Sequence, residues 1–324
     1  MTALSVRDLS LAALAVRDLS LAIGRTNIVD AISFDVAPGE VLALVGESGC
    51  GKSVTAQAIM RLLPAAIRQT GGEITLGATS LSNLSARAMR DLRGRQIAMI
   101  FQEPQSALDP LATVGNQIAE ALRQPLARVR AEVRQMLVEV GISDPDRRID
   151  QHPFELSGGM CQRVMIAIAL IARPAVLIAD EPTTALDVTI QAQILALLRR
   201  LAAERQTAVV LITHDMGVVA DIADRVAVMY AGRVAETGPT AAVFATPAHP
   251  YTALLLASIP RLSDVPKSAL AVIDGQVPQP ADYGTGCRFA GRCPRGDRRC
   301  VAETPALGPV ADGRLVACFH PVGG

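Results

Sequence analysis

Gly46-Glu47-Ser48-Gly49-Cys50-Gly51-Lys52-Ser53 fits G-x-x-x-x-G-K-[ST] without a gap. Residues of these types at this spacing cradle phosphate. The glycines let a loop bend until successive backbone N–H groups converge on phosphate oxygens. Lys52 is then placed to reach the β- and γ-phosphates of a nucleoside triphosphate, and the Ser53 hydroxyl to ligate Mg²⁺. A loop of this kind needs a strand to deliver it and a helix to receive it. Val41-Leu42-Ala43-Leu44-Val45 supplies an apolar run before it, and Val54-Thr55-Ala56-Gln57-Ala58-Ile59-Met60 a helical pattern after it. The start of that helix, at Val54, adds the positive end of a dipole. A glycine-rich turn can match by chance, but the strand–loop–helix context argues for nucleotide binding.

Two further groups suit the same chemistry. Ala175-Val176-Leu177-Ile178-Ala179-Asp180-Glu181 is an apolar strand ending in two carboxylates. In open α/β sheets, ligands gather at the carboxyl ends of strands. Asp180 is placed to hold Mg²⁺ through water, and Glu181 to orient and deprotonate an attacking water. Without the phosphate loop upstream, the pair would read as a solvated turn. Leu156-Ser157-Gly158-Gly159-Met160 precedes this strand. Ser157, Gly158 and Gly159 offer a hydroxyl, free N–H groups and a helix N-terminus, a second anion cradle. Alone they would be an N-cap followed by flexible glycines.

The elements that must position these residues alternate strand and helix. Strands are expected at Ala31–Val36, 72–77, Ile97–Phe101, Ala175–Ala179 and Ala208–Ile212, with a hairpin turning at Ala231-Gly232. Helices are expected from Leu84 to before Gln96, over much of 113–170 with breaks near Pro125 and 141–153, and at Ile190–Arg205 and Met216–Ile222. Such alternation implies an α/β fold around a mostly parallel, covered sheet. Residues 3–12 and 13–22 are near-identical tandem strands, and only one can fill a given sheet position. The second is expected in the sheet and the first to be dispensable. Beyond about residue 260, Pro, Gly, Cys and Arg become dense and periodicity fades.

The chain has 324 residues, half of them apolar, with 31 basic and 31 acidic side chains. Zero net charge argues against a nucleic-acid partner. Mean hydropathy is +0.32, yet the longest apolar run, Val164 to Ala172, is far short of the ~20 residues of a membrane span. No basic segment followed by an apolar stretch marks the N-terminus, so the chain is expected to stay in the cytoplasm.

The order of motifs resembles that of ABC-type ATPases over residues 14–245: phosphate loop, Gln102, Leu156–Gly159, Asp180-Glu181, Ala185-Leu186-Asp187, His214. The resemblance implies a P-loop NTPase fold of ABC type, with an antiparallel β subdomain and a helical subdomain at about 83–170. It implies ATP sandwiched between two such domains, Lys52 and Ser53 of one facing Ser157–Gly159 of the other. Gln102 would touch Mg²⁺ or the attacking water, Asp187 would bridge the protomers, and His214 would hold the γ-phosphate. Two positions depart from the family. Ile23 stands where an aromatic commonly stacks on adenine, and Met160 where Gln commonly ends the signature. Chromosome and DNA-repair ATPases of this type put long heptad repeats between these motifs, and none lies between Ser53 and Ser157.

Ile100–Pro104, Ile178–Thr189 and His249-Pro250-Tyr251-Thr252 bring the resemblance closer to ATPase subunits of bacterial dipeptide/oligopeptide importers, a family that includes nickel importers. That implies a 14–260 ATPase domain and a 261–324 extension, behind a duplicated segment at 1–13. Implied partners are two transmembrane permeases, a second, different ATPase subunit and an external binding protein, the chain sitting on the cytoplasmic face of the membrane. Cys287, Cys293, Cys300 and Cys318 have the spacing C-x5-C-x6-C-x17-C, which resembles the tail of those subunits. In some members four such cysteines hold a [4Fe–4S] cluster, and four thiolates are what that cluster requires. Zinc, which favours tighter Cys pairs, and free thiols remain alternatives. Arg288, Arg292, Arg295, Arg298 and Arg299 are expected to form a cationic shell offsetting cluster charge. Cys50 and Cys161 are expected to be ordinary small residues.

Overall fold

The computed structural model describes residues 12–183, 187–259 and 272–323, and the chain passes back and forth between two compact units. The first unit contains Val36–Val41 and Thr75–Ile212; the second contains Ala15–Asp35, Leu42–Ile74 and the chain from Thr213 onward.

In the first unit, strands Ile97–Ile100, Val176–Asp180 and Ala208–Ile212 run parallel, with Val176–Asp180 in the middle. Ile97 is in register with Val176, and Val176 with Ala208. Every residue of the three is buried. That is why each reads as an unbroken apolar run rather than an alternating one. Helix Gly158–Leu170 packs against the first of these strands and also gathers Val114–Ala121 and Leu126–Glu139. Leu126–Glu139 starts directly after Pro125, whose fixed φ suits a helix entry. Helix Val188–Arg205 buries Ile194, Leu195, Leu197, Leu198, Leu201 and Ala202, a stripe at helical spacing. Each such Leu or Ile contributes about 1.5–3 kcal/mol on burial.

In the second unit, Thr26–Val36, Leu14–Ile23 and Ile67–Leu76 lie side by side in that order. The second tandem copy thus fills the sheet position; the first, save for Ala12, lies outside the described residues. Residues Leu42 to Val45 pair in parallel with Arg225–Tyr230, which forms a hairpin with Arg233–Pro239. Ala231 and Gly232 turn it with positive φ of 47° and 81°, the handedness a tight hairpin requires. From the tail, Leu315–Val316 adds an antiparallel strand to Arg233–Pro239.

Several boundaries differ from the sequence reading: the strand expected at Ala31–Val36 already starts at Thr26, and the helix expected from Val54 starts at Lys52. The strand expected at 72–77 begins at Ile67 and contains Gly71-Gly72. A Cβ on Gly72 would lie 2.4 Å from the Arg17 carbonyl oxygen, so Gly72 marks close strand approach. The helix expected from Leu84 covers only Ala86–Leu92, because the Ser85 hydroxyl caps its start and Arg93 is extended. Among the described residues, no helix is long and apolar enough to cross a membrane.

Candidate functional site

The second unit holds the phosphate loop between strand Val41–Val45 and helix Lys52–Ile59. Gly46 has φ 146°, and a Cβ there would sit 2.1 Å from the Met229 carbonyl oxygen. Only glycine fits. Lys52 is buried, and its Nζ donates to the carbonyl oxygens of Gly46 at 2.7 Å and Glu47 at 3.1 Å. The ammonium is thus held over the loop's concave side. Gly51, the N-cap of helix Lys52–Ile59, offers no side chain to its first N–H groups, which suits an anion. Ser53 is exposed in the first turn and Val54 half-buried. Cys50 is fully buried, and burial pushes its thiol pKa up. Ile23, at the end of strand Leu14–Ile23, is half exposed.

Glu47 is gripped from two directions. Its backbone N–H donates to the Tyr251 hydroxyl at 2.9 Å, and its carboxylate accepts from both terminal nitrogens of Arg292, at 2.8 and 3.1 Å. His214 is exposed, one residue before Asp215, which caps helix Met216–Ile222 by accepting from the Gly217 and Val218 N–H groups.

The first unit holds the carboxylates. Asp180 is buried at the end of strand Val176–Asp180. Glu181 follows with φ 46°, a left-handed conformation that costs a residue with a Cβ about 1–3 kcal/mol. The strained turn aims its carboxylate at Gln102, whose Nε2 donates to Glu181 Oε2 at 2.9 Å. These two sequence-predicted groups therefore meet, 79 positions apart. Ser157 is exposed and caps helix Gly158–Leu170, its hydroxyl accepting from the Met160 N–H. Gly158 has no heavy atom within 4 Å of where a Cβ would stand, so the signature presents open backbone. Asp187 caps helix Val188–Arg205 by accepting from the Ile190 N–H at 3.0 Å. Ala185 and Leu186 before it lie outside the described residues.

In the tail, Cys287, Cys293, Cys300 and Cys318 line one cavity together with His249, Phe289, Arg295 and His320. All four are free thiols. Burial pushes the thiols of Cys287, Cys300 and Cys318 up. Asp297 accepts from the Cys300 N–H and meets His320 Nε2 at 2.9 Å. Chiefly through the Cys300 N–H, this holds its carboxyl at about 2. One atom each of Asp297, Cys300 and His320 lies within 4.8 Å of the others, a second possible ligand set. The donor types and their convergence fit a thiophilic metal centre.

The cationic shell is not as expected. Arg288 pairs with Asp30, Arg292 with Glu47, and Arg299 with Glu303. Of the five arginines only Arg295 lines the cavity. Spacing between cysteines places the guanidinium groups near one another in sequence, while the partners of Arg288 and Arg292 come from 258 and 245 positions away along the chain.

Residues 29–184 match the ABC transporter family, and residues 235–300 match the C-terminal region of oligopeptide/dipeptide transporters. The dipeptide transport ATP-binding protein DppD of Bacillus subtilis (strain 168) is 50% identical over 301 residues, 91% of this chain and 90% of the relative. The chain belongs to the ABC transporter family of ATP-binding proteins. DppD of Escherichia coli (strain K12) is 48% identical over 298 residues, with 91% of both chains covered. The solved structure of cbiO1 from Clostridium perfringens, part of the ABC transporter complex cbiONQ, superposes with TM-score 0.64 at 30% identity, covering 72% of this chain and 91% of that one. The ATP-binding cassette MJ0796 bound to ADP and Pi gives 0.63 at 26%, covering 70% and 98%. As a member of this family the chain is an ATPase.

Two residues of this ABC ATPase that bear on its phosphate loop escaped the sequence reading. Tyr251 stood out only as part of His249-Pro250-Tyr251-Thr252, and Arg292 only as one arginine among five. The structure explains the first motif. Glu236, fully buried, accepts from the N–H groups of Ala248 and His249, and His249 Nδ1 accepts from the Tyr251 N–H to cap helix Pro250–Ala257. That cap fixes Tyr251 beneath Glu47.

Burial lowers the His249 pKa to about 4, well below the ~6.5 of an unfolded histidine. The unfolded chain therefore binds the extra proton between those values. Stability from this group is complete above pH 6.5 and is lost as pH falls from there towards 4. Thermal unfolding should show a lower Tm at pH 5 than at pH 7. His249→Asn, which keeps an N-cap acceptor, should flatten the difference; an unchanged pH dependence would remove His249 as its source.

Proposed function

We propose that this ATPase powers the import of di- and oligopeptides across a bacterial cytoplasmic membrane. It docks peripherally on the cytoplasmic face against two permease subunits, beside a second, related ATPase subunit, and an external binding protein delivers the peptide. The observation that supports this above all is the 50% identity to a dipeptide transport ATP-binding protein along nine-tenths of both chains, tail included. A nickel importer is the neighbouring alternative within the same family.

The residues take the following roles in this reading. The phosphate loop from Gly46 to Val54 wraps the triphosphate, its N–H groups and Lys52 meeting the β- and γ-oxygens. Ser53, Gln102 and Asp180 would hold Mg²⁺, which when bound neutralises charge on those oxygens. Glu181 accepts a proton from the water that attacks the γ-phosphorus, and Gln102 keeps that carboxylate and water aligned. His214 holds the γ-phosphate. Ser157, Gly158 and Gly159 present their open N-terminus to ATP on the partner subunit, and Asp187 bridges the two chains.

The test is reconstitution in liposomes with both permeases and the partner ATPase. Added binding protein loaded with dipeptide should stimulate hydrolysis and drive labelled dipeptide into the lumen. Uptake of nickel with no dipeptide uptake would replace the peptide reading.

The four tail cysteines are assigned in the same reading to a [4Fe–4S] cluster. Their convergence on one cavity supports it, while zinc bound there or by Cys300, His320 and Asp297 is the competing occupant. Anaerobically purified protein should be brown, with about four irons per chain, and Cys300→Ser should lose the colour. Colourless protein carrying one zinc would assign the cavity to zinc.

A further inference from the structure

Cys287 and Cys293 bound a short turn whose own hydrogen bonds make it rigid: Ala290 N–H to Cys287 O, Arg292 N–H to Phe289 O and Cys293 N–H to Ala290 O. The two cysteines line the four-thiol cavity together with Phe289 and Ala290, yet the two arginines between them turn elsewhere. Arg292 closes on the Glu47 carboxylate of the phosphate loop with both terminal nitrogens, and its Nη1 also donates to the Tyr230 hydroxyl. Arg288 pairs with Asp30 and donates to the Ala231 carbonyl oxygen. The next residue, Gly232, donates its N–H to the Cys50 carbonyl oxygen in the phosphate loop. Phe289 packs edge-on against Tyr230 and also meets Tyr251, whose hydroxyl accepts the Glu47 N–H. One turn thus lines the cavity and reaches the phosphate loop by three routes: directly, through Tyr251, and through Ala231-Gly232.

The Arg292 route has the geometry to transmit. Arg292 side-chain exposure is 8% and that of Glu47 29%, so the pair is partly shielded from water. A two-pronged guanidinium–carboxylate contact also sets direction as well as distance. Without Arg292, the Glu47 carboxylate would be an unpaired negative charge within a loop built for an anion. Glu47 backbone atoms are themselves part of the cradle, since its carbonyl accepts from Lys52.

We propose that the turn from Cys287 to Cys293 is a latch on the phosphate loop, with Arg292 as its positioning residue, so that metal occupancy of the four-thiol cavity tightens MgATP binding. A metal that draws the thiols together fixes both ends of the turn and so fixes where Arg292 stands. An empty cavity lets the turn shift, and Glu47 loosens with it. This rests on the reading of the cavity as a metal site. Arg292 acts on ground-state nucleotide binding, because it touches neither Glu181 nor Gln102.

The test uses the full chain, reconstituted anaerobically with ferrous iron and sulfide or with Zn²⁺ alone, against the same protein stripped by chelator. Metal content is measured, and the Kd for MgATP is read with a fluorescent ATP analogue. In the wild type, loading should tighten binding about tenfold. In Arg292→Gln and in Glu47→Gln that ratio should fall to about one with metal content unchanged, and the double variant should be no different from either single one. Arg292→Lys, which keeps charge but not the fork, should restore part of the ratio. Arg130→Gln, which breaks an exposed pair with Asp150, should keep it whole. In ATP turnover, Arg292→Gln should raise KM with kcat little changed. Should Arg292→Gln fail to fold, Glu47→Gln carries the same comparison. Metal uptake with equal Kd in both states would overturn the latch and leave the metal site standing. No uptake of iron or zinc would overturn the metal site and the latch with it.

Discussion

Glu181→Gln should slow ATP turnover about 10²–10⁴-fold, the range for loss of a positioned general base, while MgATP binding survives. The corresponding rise in barrier is about 3–5 kcal/mol. The amide is the same size, tolerates the same φ of 46° and still offers an oxygen to Gln102 Nε2. It cannot accept the proton of the attacking water. Fold stability should move by no more than about 0.5 kcal/mol, because the replaced oxygen is not buried. On the proposed function, the variant should accumulate with ATP bound in a stable pair with the proposed partner subunit, visible by size-exclusion chromatography. Turnover within threefold of wild type would show that another group takes the proton.

Lys52→Ala should weaken MgATP binding about a hundredfold or more, equivalent to about 3 kcal/mol. Charge-assisted hydrogen bonds contribute about 1.5–3 kcal/mol each, and in the proposed function the Lys52 ammonium meets the β- and γ-oxygens. It also ties the Gly46 and Glu47 carbonyl oxygens together at 2.7 and 3.1 Å, so its loss loosens the loop as well as removing a charge. Equilibrium binding of labelled ATP checks this. A Kd unchanged by Lys52→Ala would mean that the backbone cradle alone holds the triphosphate. The two variants fail differently: one binds without turning over, the other does not bind.

Features set by neighbours in sequence were legible. The phosphate loop is eight consecutive residues, the covered parallel strands are short apolar runs, and Ser157 is a cap with the residue type that a cap demands. Gln102 was legible as a site residue only through resemblance, since nothing local distinguishes it from a surface amide, and its contact with Glu181 came from the structure. The Arg292–Glu47 pair was not legible at all. Its members lie 245 positions apart, and no periodicity connects a loop glutamate to one of the five arginines between Cys287 and Cys300. The strand expected from residue 72 was started too late, because nothing local shows that Gly72 lies against the Arg17 carbonyl inside a strand that begins at Ile67. The helix after Leu84 was overdrawn because mixed charge continues past the point where Arg93 turns extended.

Cys50, wholly enclosed and 3.5 Å from the Lys52 ammonium, gives this ATPase an internal clock. An alkylating reagent reaches that sulfur only when the surrounding glycines swing aside, so the rate of adduct growth on its tryptic peptide counts excursions of the loop. Compared with and without nucleotide, those counts convert a buried side chain into a stopwatch for how often the cradle opens.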